Sequence, residues 1–129
     1  MLWSLRGSPH PHRRADAGGL AAALWPATDA DATARLSGYA GRLRADGADP
    51  QEAFRVVSDA MRSVITAPMT KGVAGAAGTA GIPAQFAGFC RPCVSVHARE
   101  VLFRLAVLPT AVGQGKPVGP ARARSGPAL

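Results

Sequence analysis

Large aromatic side chains are scarce in this chain. Four Phe, two Trp and one Tyr serve 129 residues, so any core must be assembled mainly from aliphatic side chains and alanine. The hydrophobic share of 47% overstates the material available, because alanine inflates it. Acids are few as well: eight Asp and Glu stand against fifteen Lys and Arg. No pair of those acids suggests a general acid/base site, and no Ser, His and Asp spacing suggests a nucleophilic triad. The two cysteines lie three positions apart, which suits a reducing compartment rather than a disulfide framework. No apolar run approaches the roughly 18 residues that a membrane span requires. Nor does the amino terminus carry a basic-then-apolar leader, since Arg6, Pro9 and Pro11 interrupt it. The expectation is a cytoplasmic chain with no membrane partner.

What is abundant is turn chemistry and positive charge. Gly 15 and Pro 11 make up about a fifth of the chain, against roughly 12% in average proteins. The net charge of +7 invites a nucleic-acid partner. Mapped along the chain, the excess sits at the ends. Arg6, Arg13 and Arg14 precede the first acid, and Lys116, Arg122 and Arg124 follow the last. Residues 15–110 hold nine basic residues and all eight acids, a net of +1. Three regions follow: an extended and helical segment over 1–48, a helical unit over 49–109, and a Gly, Pro and Arg-rich tail over 110–129 expected to be disordered.

Elements can be read in order. Trp3 and Leu5 alternate with Ser4 and Arg6 in a short extended piece that ends at Gly7-Ser8-Pro9. A short helix is expected over 16–25, with Asp16 as its cap and Pro26 stopping it. A second is expected from Asp29 to Arg44, with Leu36, Tyr39, Ala40 and Leu43 on one side. Asp49-Pro50-Gln51-Glu52 is the best helix start, combining a cap residue, a proline at the first helical position and a glutamate three residues after the cap. Phe54, Val57, Met61 and Val64 then form a buried stripe, with Arg55, Asp59 and Arg62 opposite. Thr70 can cap a weak helix through Ala80, in which Gly72, Gly75, Gly78 and Gly81 recur every third residue and signal local weakness. Collagen is excluded, since the repeat is short and lacks the proline pattern. A last helix is expected over Ser95 to Leu108, ended by Pro109.

Three blocks, taken in order, carry a resemblance. The first is Trp3-Ser4-Leu5-Arg6-Gly7-Ser8-Pro9-His10 with His12-Arg13-Arg14-Ala15-Asp16, and the second is Ala23-Leu24-Trp25-Pro26. The third runs from Pro68-Met69-Thr70-Lys71-Gly72 through Cys90-Arg91-Pro92-Cys93 and His97 to Leu102-Phe103-Arg104-Leu105. Across roughly residues 3–108 the chain resembles winged-helix DNA-binding-domain-containing proteins, relatives of the AlkZ-like DNA glycosylases. The resemblance implies a mainly α chain with one partial winged-helix (helix-turn-helix) unit, truncated before its wing strands, and DNA as partner. It also implies no catalysis. The family's glutamine-based motif lies upstream of the Arg-Gly…His segment at which this chain begins, and Gln51, Gln85 and Gln114 do not match it.

Two candidate sites remain. Arg6, His10, His12, Arg13 and Arg14 supply positive donors for phosphates, and Lys71 sits in the turn before the weak helix, where a winged helix touches the DNA backbone. A solvated, frayed end accounts for the first group equally well. Cys90, Cys93 and His97 form a Cys-x2-Cys-x3-His cluster that offers zinc three ligands, with His10, His12 or Glu100 as the fourth. No second Cys pair completes a finger, and packing beside Phe86 and Phe89, with His97 near a helix start, is the plainer account. No other cofactor is expected: the glycines lack the strand and lysine of a phosphate loop, and no βαβ pattern supports dithiol redox chemistry. The expectation is a winged-helix DNA-associating chain without catalytic residues. The alternatives are a small metal-binding interaction module and a non-functional truncated fragment.

Overall fold

The computed structural model describes residues 2–3, 8–67, 69–92 and 94–107, and the chain is mainly helical. Arg6, Cys93 and the tail over 110–129 lie outside the described residues. At the amino end, β1 (Leu2–Trp3) pairs antiparallel with β2 (Pro9–His10). A one-turn 3-10 helix at Arg14–Asp16 leads into α1 (Ala17–Leu24). Asp16 does not cap α1 as expected, because its backbone is already helical and its side chain bonds no amide of the first turn.

The helix expected over Asp29 to Arg44 is two helices, α2 (Asp29–Leu36) and α3 (Gly38–Ala45). Thr28 caps α2 by accepting from the Asp31 amide at 3.2 Å, and the Asp31 carboxylate accepts from the Ala27 amide in return. The break falls at Ser37, whose φ of 52° lies in the left-handed region. Gly38 and Gly41 leave the continuation with little propensity to resist it. The bend gives Leu36, Ala40 and Leu43 a common core, and Arg44 returns to Asp29 at 2.6 Å to tie α3 to the start of α2.

Helix α4 (Pro50–Val64) is the centre of the molecule. Two parts of its cap work as its sequence requires: the Asp49 carboxylate accepts from the Glu52 amide at 2.8 Å, and Pro50 fills the first turn. The Glu52 carboxylate, however, accepts from Arg55 instead of closing back on the cap. Phe54, Val57 and Met61 are almost wholly buried, while Arg55, Asp59 and Arg62 pair along the outer face. Helices α2, α3, α5 (Lys71–Thr79) and α6 (Glu100–Ala106) all pack on α4. One hydrophobic cluster therefore joins Ala32, Leu36 and Leu43 to Phe54, Met61 and Leu102, running across the 48/49 boundary.

Between α5 and α6 the expected helix over Ser95 to Leu108 is corrected. Its first residues form β4 (Ser95–Ala98), paired antiparallel with β3 (Ala87–Cys90), and only then does α6 begin. Strands thus do follow the α4–α5 pair, where none were expected. β-branched Val96 favours strand, and the chain turns between the facing runs from Arg91 to Val94, whose φ of 50° is left-handed and whose amide donates to the Arg91 carbonyl. In register, Phe89 faces Val96 and Gly88 faces His97. The hairpin is anchored to α5 through the Ala98 amide, which donates to the Thr79 hydroxyl at 2.9 Å.

Candidate nucleic-acid interface

Helix α5 packs on α4 and leads into the hairpin. Thr70 caps it by accepting from the Val73 amide, and Ala74 and Gly78 form its buried side. Gly78 is where the glycine spacing reports more than weak propensity. A Cβ there would lie 2.3 Å from Met61 Cε, so the absent side chain lets α5 lie close on α4. At Gly72 a Cβ would meet nothing within 4 Å, and at Gly75 it would make only an ordinary contact with Phe103, so neither spot needs glycine for space. The outward residues of α5 are Lys71, Gly72, Val73, Ala76 and Ala77. Apart from Lys71 none carries a hydrogen-bonding side chain, so this face offers bases no hydrogen bonds beyond that one lysine.

Lys71 itself is engaged within the fold. Its ammonium pairs with the Glu100 carboxylate and sits 5.7 Å from the centroid of Phe103. Glu100 also accepts from Arg104 Nε at 2.6 Å. Partial burial pushes the Glu100 carboxyl up, but the hydrogen bonds from Lys71 and Arg104 outweigh it and hold the pKa below its ordinary value.

The cations without a carboxylate partner among the described residues are Arg13, Arg42, Arg91 and Arg99. Arg13 is exposed ahead of α1, Arg42 is exposed on α3, and Arg91 is exposed in the hairpin turn. Arg99 is the most constrained. Its guanidinium carbon lies 5.6 Å from the centroid of Tyr39, and its Nε is buried with no hydrogen-bond partner. Tyr39 is fixed in turn by donating its hydroxyl to the Gln85 carbonyl at 2.7 Å. Burial raises the Tyr39 pKa against the opposing pull of Arg99. Gly88 makes room for this arrangement, since a Cβ there would fall 2.6 Å from the guanidinium carbon of Arg99. Arg42 lies one turn beyond Tyr39 on α3, which puts it on the same side of that helix. Arg42, Arg91 and Arg99 were not among the phosphate contacts expected from sequence. The available signal was Gly88, an isolated glycine in a strand, which marks a close approach.

Of the amino-terminal residues expected to meet phosphate, Arg6 lies outside the described residues, and Arg14 lies in the 3-10 turn. His10 is half-buried, its Nε2 is shielded without a partner, and its ring stacks on His12 at 6.4 Å between centroids.

Cys90 and His97 lie on one face of the hairpin, in register pairs two apart (Cys90 with Ser95, His97 with Gly88). The His97 Nδ1 and the Ala98 carbonyl are 2.9 Å apart. That contact first, and then the hydrogen bond with Cys90, raises the His97 pKa. Cys93, the third member of the cluster, lies outside the described residues. Among the described residues no group of three or more His, Cys, Asp or Glu side chains is placed to hold a metal ion. Glu100, an expected fourth ligand, is turned to Lys71 and Arg104. Packing of Cys90 beside Phe89 is also corrected, because adjacent strand residues point to opposite faces and Phe89 is 63% exposed.

No protein-family model matches the chain, and neither do the curated proteins or the solved structures searched with it. Among the described residues no helix is long and apolar enough to cross a membrane.

Proposed function

We propose that this chain is a non-catalytic winged-helix module that associates with duplex DNA through backbone phosphates, without reading base edges. The observation that carries the proposal is the order α4, turn, α5, hairpin, with α5 packed on α4 and β4 packed on α5. That is the sequence of elements in a helix-turn-helix followed by a wing. The outer face of α5 supports the second half of the proposal, since Gly, Val and Ala side chains offer no hydrogen bonds to bases. Arg13, Arg42, Arg91 and Arg99 are the side chains available to phosphate, joined by the basic residues at the two ends of the chain. Phosphate contacts position a protein without specifying sequence.

The test is the salt dependence of binding to a fluorescent duplex. Several phosphate contacts give a steep fall of log K with log salt, at a slope of about −0.9 per contact. A flat dependence, or no binding at low salt, contradicts the proposal. So does release of a damaged base from duplex DNA above a buffer control, which would make the module catalytic.

A second reading rests on Cys90 and His97 sharing a hairpin face, with a ring nitrogen of His97 held at the Ala98 carbonyl. Metal-bound histidines are oriented in this way. Stoichiometric zinc in protein purified without chelator favours that reading, and metal-free protein with an unchanged fold opposes it.

A further inference from the structure

Ser58 is one of the few polar side chains buried inside this molecule, and it has no hydrogen-bond partner. It is 1% exposed, and its hydroxyl reaches neither protein donor nor acceptor. A buried hydroxyl without a partner costs stability and leaves a hydrogen-bonding group open to a ligand. Ser58 is also not in the main core. It forms part of the wall of a groove of about 490 Å³ between α1 and α4. The α1 side is made of small residues, Gly18, Ala21 and Ala22, and the Trp25 indole closes one end. Trp25 is held in place by an edge contact with Phe54, 6.2 Å between ring centroids. Arg55, Asp59 and Arg62 complete the lining from α4.

The chemistry of this lining selects a ligand class. Small side chains on α1 and an indole at one end suit a flat apolar body. Arg62 gives one donor to Asp59 at 3.1 Å, and Arg55 gives one to Glu52 at 2.8 Å. A guanidinium has five N–H groups, so both retain donors for a further acceptor. Asp59 pairs with both arginines and Glu52 pairs with Arg55 from just outside the lining, so this rim is close to neutral and suits a monoanion rather than a phosphate dianion. We infer that the groove between α1 and α4 binds a planar aromatic monocarboxylate, whose carboxylate meets Arg62 and Arg55 and whose ring lies against Trp25, with Ser58 as an additional hydrogen-bond partner. The groove lies along the Arg55–Arg62 side of α4, apart from the Phe54–Met61 stripe, so this binding is independent of any association with DNA.

Naphthalene-2-carboxylate and its neutral counterpart naphthalen-2-ylmethanol separate the contributions. Each is titrated into the ¹⁵N-labelled full chain while the Trp25 indole N–H and the amides of α1 and α4 are followed. The carboxylate is expected to shift these signals saturably, and the alcohol to bind at least about tenfold more weakly, the loss of one charge-assisted contact. Arg62→Gln should remove about tenfold from carboxylate affinity and leave the alcohol unchanged. Ser58→Ala should weaken the carboxylate severalfold while leaving the melting temperature equal or higher, because it deletes an unsatisfied group. Equal affinity for the two ligands, no saturable shift at Trp25, or indifference to Arg62→Gln overturns the inference. A lower melting temperature for Ser58→Ala also overturns it, since the hydroxyl would then have a partner within the fold.

Discussion

Phe54 on α4 and Asp49, which caps that helix, sit five positions apart and contribute in different ways. Phe54 is 1% exposed and touches both the core cluster and Trp25. Replacing it with alanine should cost about 3–5 kcal/mol in a denaturant titration. Asp49→Ala removes one cap hydrogen bond at an exposed helix start and should cost about 1 kcal/mol. Equal, small effects would mean that α4 is not the packing centre. The glycines of α5 make a sharper comparison. Gly75→Ala adds a methyl in ordinary contact with Phe103 and should stabilise by up to about 1 kcal/mol through helix propensity. Gly78→Ala pushes a Cβ into Met61, which is fully buried, and should destabilise by about 1–3 kcal/mol despite the same propensity gain. Thermal melts of the two variants shifting in the same direction would contradict the close approach of α5 to α4.

Elements differed in how far the sequence exposed them, and the difference has physical causes. α4 was legible because its cap, its first-turn proline and its apolar spacing agree with one another. The stop of α1 before Pro26 and the Thr70 cap of α5 were legible for the same local reason. The split at Ser37 was not, since helical spacing continues through it and the bend is imposed by the shared core and the Arg44–Asp29 pair. The hairpin was hidden because its strands are four residues each and run directly into α6, whose apolar spacing extends the apparent helix backwards. Glu100, at the first position of α6, ties that helix to α5 through Lys71. Its pKa is held below the ordinary 4.5, so its contribution to stability is present above that value and is lost as pH falls through the lowered one. The pair is partly exposed, so the effect is small and shrinks with salt. Glu100→Gln should therefore be less stable than the parent at neutral pH, with the gap closing on acidification. A gap that widens toward acid contradicts this assignment.

At the scale of the whole molecule, charge is distributed in two ways. Along α2 and α4 it is spent on local pairs: Arg35 with Asp31, Arg55 with Glu52, and Arg62 with Asp59. Arg42, Arg91 and Arg99, on α3 and around the hairpin, have no such partner among the described residues. Net charge by segment showed the near-neutrality of residues 15–110, but not which cations are left over, because pairing such as Lys71 with Glu100 spans 29 positions. For the same reason Lys71 stood out in the sequence while Arg99 did not. The central claim is that DNA is met through phosphates by these unpaired arginines rather than read by α5. Fluorescence anisotropy on two unrelated duplexes at two salt concentrations, for the parent, Arg42→Ala with Arg91→Ala, and Lys71→Ala, tests it directly. The account predicts equal affinity for both duplexes, a uniform loss and a salt slope flatter by about 2 in the double variant, and little change in Lys71→Ala. A strong preference for one duplex that survives the double substitution and disappears in Lys71→Ala would contradict it.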